Sequence, residues 1–524
     1  MTKFCSTALL LAMASSVWAQ SAKSLQVATG KGTVEGSYSS DHKVRAFKGI
    51  PFAAPPIGDL RWKPPQPVQP WEGVRPAKEF GFHCYQSATY NDMVFHDPGP
   101  SEDCLTLNVW TPADAETGSL PVMVWIYGGG FVAGGTSEAR QDGQFLAHKN
   151  VVVVSMNYRL GIFGFFTYPQ LAAESIHHAA GNYGLLDQAA AIDWVKRNIA
   201  AFGGNPSNIT IFGESAGSFS VSAQMASPLS KDLISKAIGE SGGAFYSSGL
   251  PFEPLTIHEV RDAYFAQHTL HVNTLEQLRA LPAETLLKAA TEKTNPPPPR
   301  FGPDIDGYFL PDAVPAIYAE GKQAHIPVLA GWNADEIRGA VLRANPQPTA
   351  MSFEAEAKKD FGENAPEFLK LYPAKTNPQA LRSAGDFASD RFIAYSTWRW
   401  LEAQVKTGRA PVYRYFFTLG SPGDKNHPKS AGAFHSDDIE YVFGTLNSRP
   451  GAVWRKEDRR LSEQMQEYWT NFARTGDPNG DRLPKWPAYD PPEWQVMYLS
   501  AHSAAKPDPY RDRYLFLDSI WGKD

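Results

Sequence analysis

Residues 208–227, NITIFGESAGSFSVSAQMAS, constrain this chain more than any other stretch. The stretch opens on a short apolar run, 208–213, with isoleucine at 209 and 211, the composition of a buried strand. It closes on small residues, 216–227, that fit a helix. Gly213 and Gly217 stand two residues either side of Ser215. A strand that passes into a helix across so few residues must turn sharply. Neighbouring backbones then approach closely enough to need residues without a Cβ, although glycine is costly to order. Joints of this kind belong to mostly parallel sheets covered by helices.

The rest of the chain repeats the alternation. PVMVWIY (121–127) and VVVVSMNY (151–158) read as buried strands, and 235–242, 326–332 and 411–417 are further strand candidates. Residues 185–204 have helical apolar spacing, through Leu186, Ala189, Ala190, Ile192, Trp194, Val195 and Ile199, and end in glycines. A second helix, 459–476, closes on Gly476. The expected fold is therefore α/β, a large and mostly parallel central sheet flanked by helices, with long insertions. No internal repeat and no break in composition divides the chain, so residues 20–524 are expected to form a single domain. The run NPPPPR (295–300) reads as an ordered surface connection. Stretches 245–310 and 340–390 carry no clear pattern.

The N-terminus begins with Lys3, continues through an apolar stretch from Ala8 to Ala14, and reaches Val17-Trp18-Ala19. Residues 1–19 read as a secretory signal peptide, which implies export to the periplasm or the medium. Its removal leaves Cys84 and Cys104 as the remaining cysteines. In an oxidising compartment the two are expected to pair, adding about 3 kcal/mol of stability. No later run is apolar enough to span a bilayer. Neither CxxC nor HExxH is present, so no metal site is expected. The 49 basic residues are spread without a cluster and the net charge is −6, which argues against a nucleic-acid partner. Nothing in the sequence signals an oligomeric state.

The joint at 213–217 would hold the Ser215 hydroxyl proud of the sheet's carboxyl end, at the start of a helix whose first N–H groups have no intrahelical partner. G-x-S-x-G in this setting is the arrangement of a nucleophilic serine. A serine hydroxyl needs a base, and its oxyanion needs donors. WIYGGGF (125–131) offers Gly128, Gly129 and Gly130 after a buried strand. Together with the N–H of Ala216, they would form an oxyanion hole. Seven histidines follow Ser215. His435, in GAFHSDDIEYVFG (432–444), has small neighbours and follows a strand candidate, whereas His427, in DKNHPK, reads as solvated. Asp335 and Glu336, in GWNADEIRG (331–339), both stand at the carboxyl end of a strand candidate. The pattern alone does not choose between them.

FGGNPSNITIFGESAG (202–217) and SEDCLTLNVW (101–110) resemble the two signatures of the type-B carboxylesterases, in the cholinesterase-like branch of the α/β-hydrolases. GIPFAAPPIGDLRW (49–62), GNYGLLDQ (181–188) and YWTNFARTGDPNG (468–480) are similar to further segments of that family. The resemblance runs from about Lys31 to the C-terminus. It implies hydrolysis of small carboxylic esters through an acyl-enzyme, with a triad of Ser215, Glu336 and His435 and no cofactor or metal. It implies oxyanion donors at Gly129, Gly130 and Ala216, and a disulfide between Cys84 and Cys104. Ser241, in GESGG, resembles a serine that helps hold the acid and the histidine, with a capping serine as the alternative. Ile337 departs from the family pattern, where glycine is usual.

A second departure bears on substrate. Cholinesterases carry a tryptophan in the loop between the two cysteines, but NDMVFHDPGP (91–100) has none and offers Met93, Val94 and Phe95 instead. Choline esters are therefore disfavoured, because the loop supplies no cation–π platform. Two other readings remain open. One is a specialised esterase for a bulky feruloyl, mycotoxin or polyester substrate, and basic residues at the pocket mouth would favour polyacid esters. The other is a non-catalytic binding member of the family, which the presence of all three triad residues argues against.

Overall fold

The computed structural model describes residues 24–246, 250–424 and 429–522. The segment read as a signal peptide, 1–19, lies outside them. Eleven strands make the main sheet: β1 (Ser37–Tyr38), β2 (Val44–Pro51), β3 (Thr106–Pro112), β4 (Leu120–Ile126), β5 (Val152–Met156), β6 (Gly204–Glu214), β7 (Lys236–Glu240), β8 (Val328–Asn333), β9 (Val412–Phe417), β10 (Gln495–Leu499) and β11 (Ala504–Pro507). In space they run β11-β10-β9-β8-β7-β6-β4-β5-β3-β2-β1. The strands from β10 to β5 pair in parallel. Antiparallel pairs finish both edges. This is the α/β-hydrolase architecture.

Helices cover the sheet, as a parallel sheet requires. Every residue of β7, β8 and β9 is buried, including Lys236 and Glu240 of β7 and Arg414 of β9, so these strands show no alternation of apolar and polar faces. The main covering helices are α1 (Tyr183–Asn198), α2 (Ala216–Ala226), α3 (Tyr395–Thr407) and α4 (Lys456–Thr475). All of α2 is buried. Its small side chains let it lie close under the sheet, and its serines find partners there. Ser218 Oγ donates to Gly242 O at 2.7 Å, and Ser222 Oγ accepts from the N–H of Ala244 at 2.9 Å.

Several boundaries differ from the sequence reading. The helix expected over 185–204 ends at Asn198. A 3-10 turn, Ile199–Phe202, follows it, and Gly203 reverses the chain at φ 100°. Strand β6 reaches back to Gly204 through a register shift before Ile209. The outer strands β1 to β3, β10 and β11 add to the strands expected from the sequence. Stretches 245–310 and 340–390 hold helices, among them Leu255–His268 and Asn377–Ser389. Leu255–His268 buries His258 and Asp262 beside Phe265 and Ala266, and those polar buried positions hide its apolar face from a periodicity reading. Cys84 and Cys104 are disulfide-bonded, with Cα atoms 5.1 Å apart. Among the described residues no helix is long and apolar enough to cross a membrane.

Candidate active site

The residues singled out from the sequence converge at one end of the sheet. The glycine loop follows β4, Ser215 follows β6, Ser241 follows β7, Glu336 follows β8, and His435 lies beyond β9. These five strands are neighbours in the order β4-β6-β7-β8-β9. Crevices outside the carboxyl ends of parallel strands are where open α/β sheets bind ligands.

Ser215 occupies the joint between β6 and α2 with φ 54° and ψ −123°, a backbone conformation that persists only where its surroundings enforce it. Its N–H donates to Glu240 O at 2.8 Å, and its carbonyl accepts from the N–H of Phe219 at 2.9 Å. The flanking glycines are needed for contact rather than for flexibility. A Cβ on Gly217 would lie 1.9 Å from Ile126 O, and one on Gly213 would lie 2.6 Å from the same atom. The turn is therefore wedged against the end of β4.

His435 Nδ1 and Glu336 Oε2 are 2.6 Å apart. The other carboxylate oxygen of Glu336 accepts from Ser241 Oγ at 2.6 Å and from the N–H of Asn333 at 2.7 Å. Backbone ties fix the pair further, since the His435 N–H donates to Glu336 O at 3.0 Å. Asp335, the alternative acid, points elsewhere. Its Oδ1 pairs with Arg338 at 3.1 Å and with Arg382 at 3.0 Å. Geometry thus places Glu336, not Asp335, against the imidazole. Ser241 sits at φ 53° and contacts the acid directly; it caps no helix.

Glu214 lies inside the serine motif, where no local pattern marks it for a role, and it is buried beside the histidine. Its Oε1 lies 3.2 Å from His435 Nε2, and the Ser215 hydroxyl makes no direct hydrogen bond to His435 in this arrangement. Burial pushes Glu214 up to about 8, against the pull of His435. Burial opposes the charge on His435, but Glu214 and then Glu336 outweigh it and raise the imidazole to about 9. Phe392, also unread in the sequence, packs edge-on against the His435 ring at 5.0 Å. It belongs to a π-helical segment, Asp390–Ala394, a rare geometry that is frequent at functional sites.

Gly129 and Gly130 adopt φ 106° and 64°, and their N–H groups donate to no acceptor among the described residues. Ala216 opens α2, where helix N–H groups lack intrahelical partners. Ser215, His435, Gly129, Gly130 and Glu336 share a cavity of about 360 Å³, within the size range of small-molecule sites. Met93 also lines it. Phe95 instead stacks on His83 at 4.5 Å, and Val94 is exposed. Tyr90, Arg140, Arg300 and Arg343 line the cavity as well, and none of them was singled out from the sequence.

A model of the carboxylesterase family matches residues 23–516. The chain belongs to the carboxylesterase family. Its curated relatives include a fumonisin B1 esterase from Sphingopyxis macrogoltabida, 37% identical over 480 residues that cover 88% of this chain and 84% of that protein. A para-nitrobenzyl esterase from Bacillus subtilis (strain 168) is 36% identical over 507 residues, covering 93% and 97%. Among solved structures, a PNB esterase superposes with a TM-score of 0.80 at 33% identity, covering 94% of this carboxylesterase and 99% of that chain. The protein is a carboxylic ester hydrolase.

Proposed function

We propose that this carboxylesterase cleaves esters in two acyl transfers through Ser215. The supporting observation is the 2.6 Å contact between His435 Nδ1 and Glu336 Oε2, set beside a serine on a sharp strand-to-helix turn. Glu336 fixes the tautomer that leaves Nε2 as the basic nitrogen and stabilises the imidazolium when it forms. With substrate bound, the Ser215 hydroxyl closes on Nε2, as catalytic contacts commonly tighten only in the complex. Oγ then adds to the ester carbonyl while its proton passes to His435. The N–H groups of Gly129, Gly130 and Ala216 hold the oxyanion. The tetrahedral adduct collapses, the imidazolium gives its proton to the departing alcohol, and water repeats the sequence on the acyl-enzyme. Ser241 holds Glu336 in register throughout. No step calls for a metal or an organic cofactor.

Residues 20–524 act in this reading as one domain, supported by a hydrophobic core that runs from Val27 to Leu517. Residues 1–19 direct export, and the Cys84–Cys104 disulfide suits the oxidising compartment that follows. Room for a bulky ester is also at hand. An apolar cavity of about 400 Å³, bounded by Phe353, Phe361 and Phe387, shares Ile337 and Phe392 with the wall of the catalytic cavity. This favours substrates larger than simple acetates, in keeping with the named substrates of the two bacterial relatives.

Hydrolysis of a p-nitrophenyl ester series by wild type and Ser215→Ala tests the proposal. Turnover by wild type and a near-complete loss in the variant are expected. Equal turnover by both would overturn it.

A further inference from the structure

The catalytic cavity carries three arginines, Arg140, Arg300 and Arg343. Arg140 is held by carboxylates, Glu138 Oε2 at 2.8 Å and Asp92 Oδ2 at 3.1 Å. Glu214 and Glu336, the other acids on the wall, face His435.

Arg300 lies beside the glycine loop. Its Nη2 donates to Gly130 O at 3.0 Å. A Cβ on Gly130 would meet that nitrogen at 3.0 Å and the Tyr90 hydroxyl at 3.3 Å. The guanidinium therefore lies against the loop whose N–H groups receive the oxyanion. It is exposed to solvent, yet it sits deep enough among protein atoms that burial lowers its pKa, with Tyr90 pulling the other way. A guanidinium stays charged at any working pH, and an incoming anion would offset that desolvation. Arg300 ends the proline run 295–300. Prolines fix φ and leave little backbone freedom to lose, so the run presents the side chain at small entropic cost. Arg343 closes the short helix Arg338–Leu342, is exposed, and adds a second cation to the same cavity.

We propose that Arg300, assisted by Arg343, makes this esterase selective for esters whose acyl group carries a second carboxylate, that is, half-esters of di- and tricarboxylic acids. The inference rests on the acyl-transfer reading above. The free carboxylate would pair with the charge of the Arg300 guanidinium while the ester carbonyl enters the oxyanion hole. The adjacency of Arg300 to Gly130 sets the two groups a short chain apart, and the comparison of acyl-side with alcohol-side carboxylates tests which part of the ester carries the anion.

The test compares kcat/KM for mono-4-nitrophenyl glutarate with that for 4-nitrophenyl valerate, a neutral partner of similar length. Wild type is expected to favour the glutarate. Arg300→Gln should lower the glutarate/valerate ratio about tenfold or more, the order expected for losing one hydrogen bond to a charged group. Arg300→Lys should restore part of it, and Arg343→Gln should lower it less. Added salt should lower the ratio in wild type more than in the Arg300→Gln, Arg343→Gln double variant. Using the ratio removes any common loss from disturbing the Gly130 loop. A carboxylate on the alcohol instead, as in 4-acetoxybenzoate against phenyl acetate, should gain little, and a larger preference there would overturn the acyl-side assignment. If the valerate is turned over and Ser215 reacts with a phosphonate, but the ratio is below one or unmoved by both glutamine variants, the carboxylate proposal fails and the acyl-transfer reading stands. If neither ester is cleaved and Ser215 does not react, both fail.

Discussion

One part of the cleft wall is made by Ser215, Glu336 and the loop after β4, which leave the ends of buried parallel strands, with Ser241 buried behind Glu336. Another part is made by Ile337, Arg343 and Phe392, which ride on the short helix Arg338–Leu342, its flanks, and the π-helical turn Asp390–Ala394 between β8 and β9. In the first part the backbone itself is the constraint. A methyl group at position 217 would collide with Ile126 O, so residue identity is dictated and the motif stands out. In the second part, side chains on insertions shape the surface, and many other residues would satisfy the same backbone. The first part fixes the reaction type. The second governs what is admitted to it.

The two parts should therefore fail differently. The largest effect is expected at the turn, where Ser215→Ala should lower kcat by a factor on the order of 10⁶ while the circular dichroism spectrum is unchanged. Glu336→Gln keeps the shape but disturbs the tautomer of His435, and a loss of roughly 10⁴ in kcat is expected. Ser241→Ala removes the 2.6 Å contact to Glu336 Oε1. Steady-state kinetics should then show a fall of about 10- to 100-fold, the size of one hydrogen bond to a charged group.

Glu214→Gln should act through pH. His435 must be neutral to accept the serine proton, so kcat/KM of wild type rises as pH rises towards the imidazole's raised value of about 9. Glu214 is the first of the carboxylates that raise it. Without that charge the limb should move to lower pH by about one unit, as read from a kcat/KM profile. The smallest effect belongs to the insertion side. Phe392→Ala removes an edge-on ring contact worth about 0.5–1.5 kcal/mol, so kcat should fall by tenfold or less, with changes in acyl preference exceeding the change in rate. A loss at Phe392 as large as that at Ser241 would break the division between the two parts.

Legibility in the sequence followed the same division. The central parallel strands announced themselves because burial on both faces leaves no polar alternation. The G-x-S-x-G turn was readable because close backbone approach permits little else. Asp335 and Glu336 could not be separated by position, since adjacent residues at a strand end differ only in which way each side chain points. Resemblance to a family chose Glu336, and the geometry places it against His435. Glu214 was in plain view within the motif, but its neighbour His435 is more than two hundred residues away in the chain, and only the fold brings them to 3.2 Å. At the edges, β1 and β11 are only two and four residues long and partly or wholly exposed, too short for any period to show. The arginines of the cleft had no local signature at all, since Arg300 follows four prolines that read as a surface connection.

The most direct test of the central claim is intact-mass and peptide analysis of the enzyme after exposure to a serine-reactive phosphonate. A single stoichiometric adduct on the peptide containing Ser215, absent from Ser215→Ala and lost in step with esterase activity, is the predicted result. An adduct on a different residue that tracks the loss of activity, or full esterase activity in enzyme already modified at Ser215, would contradict the account.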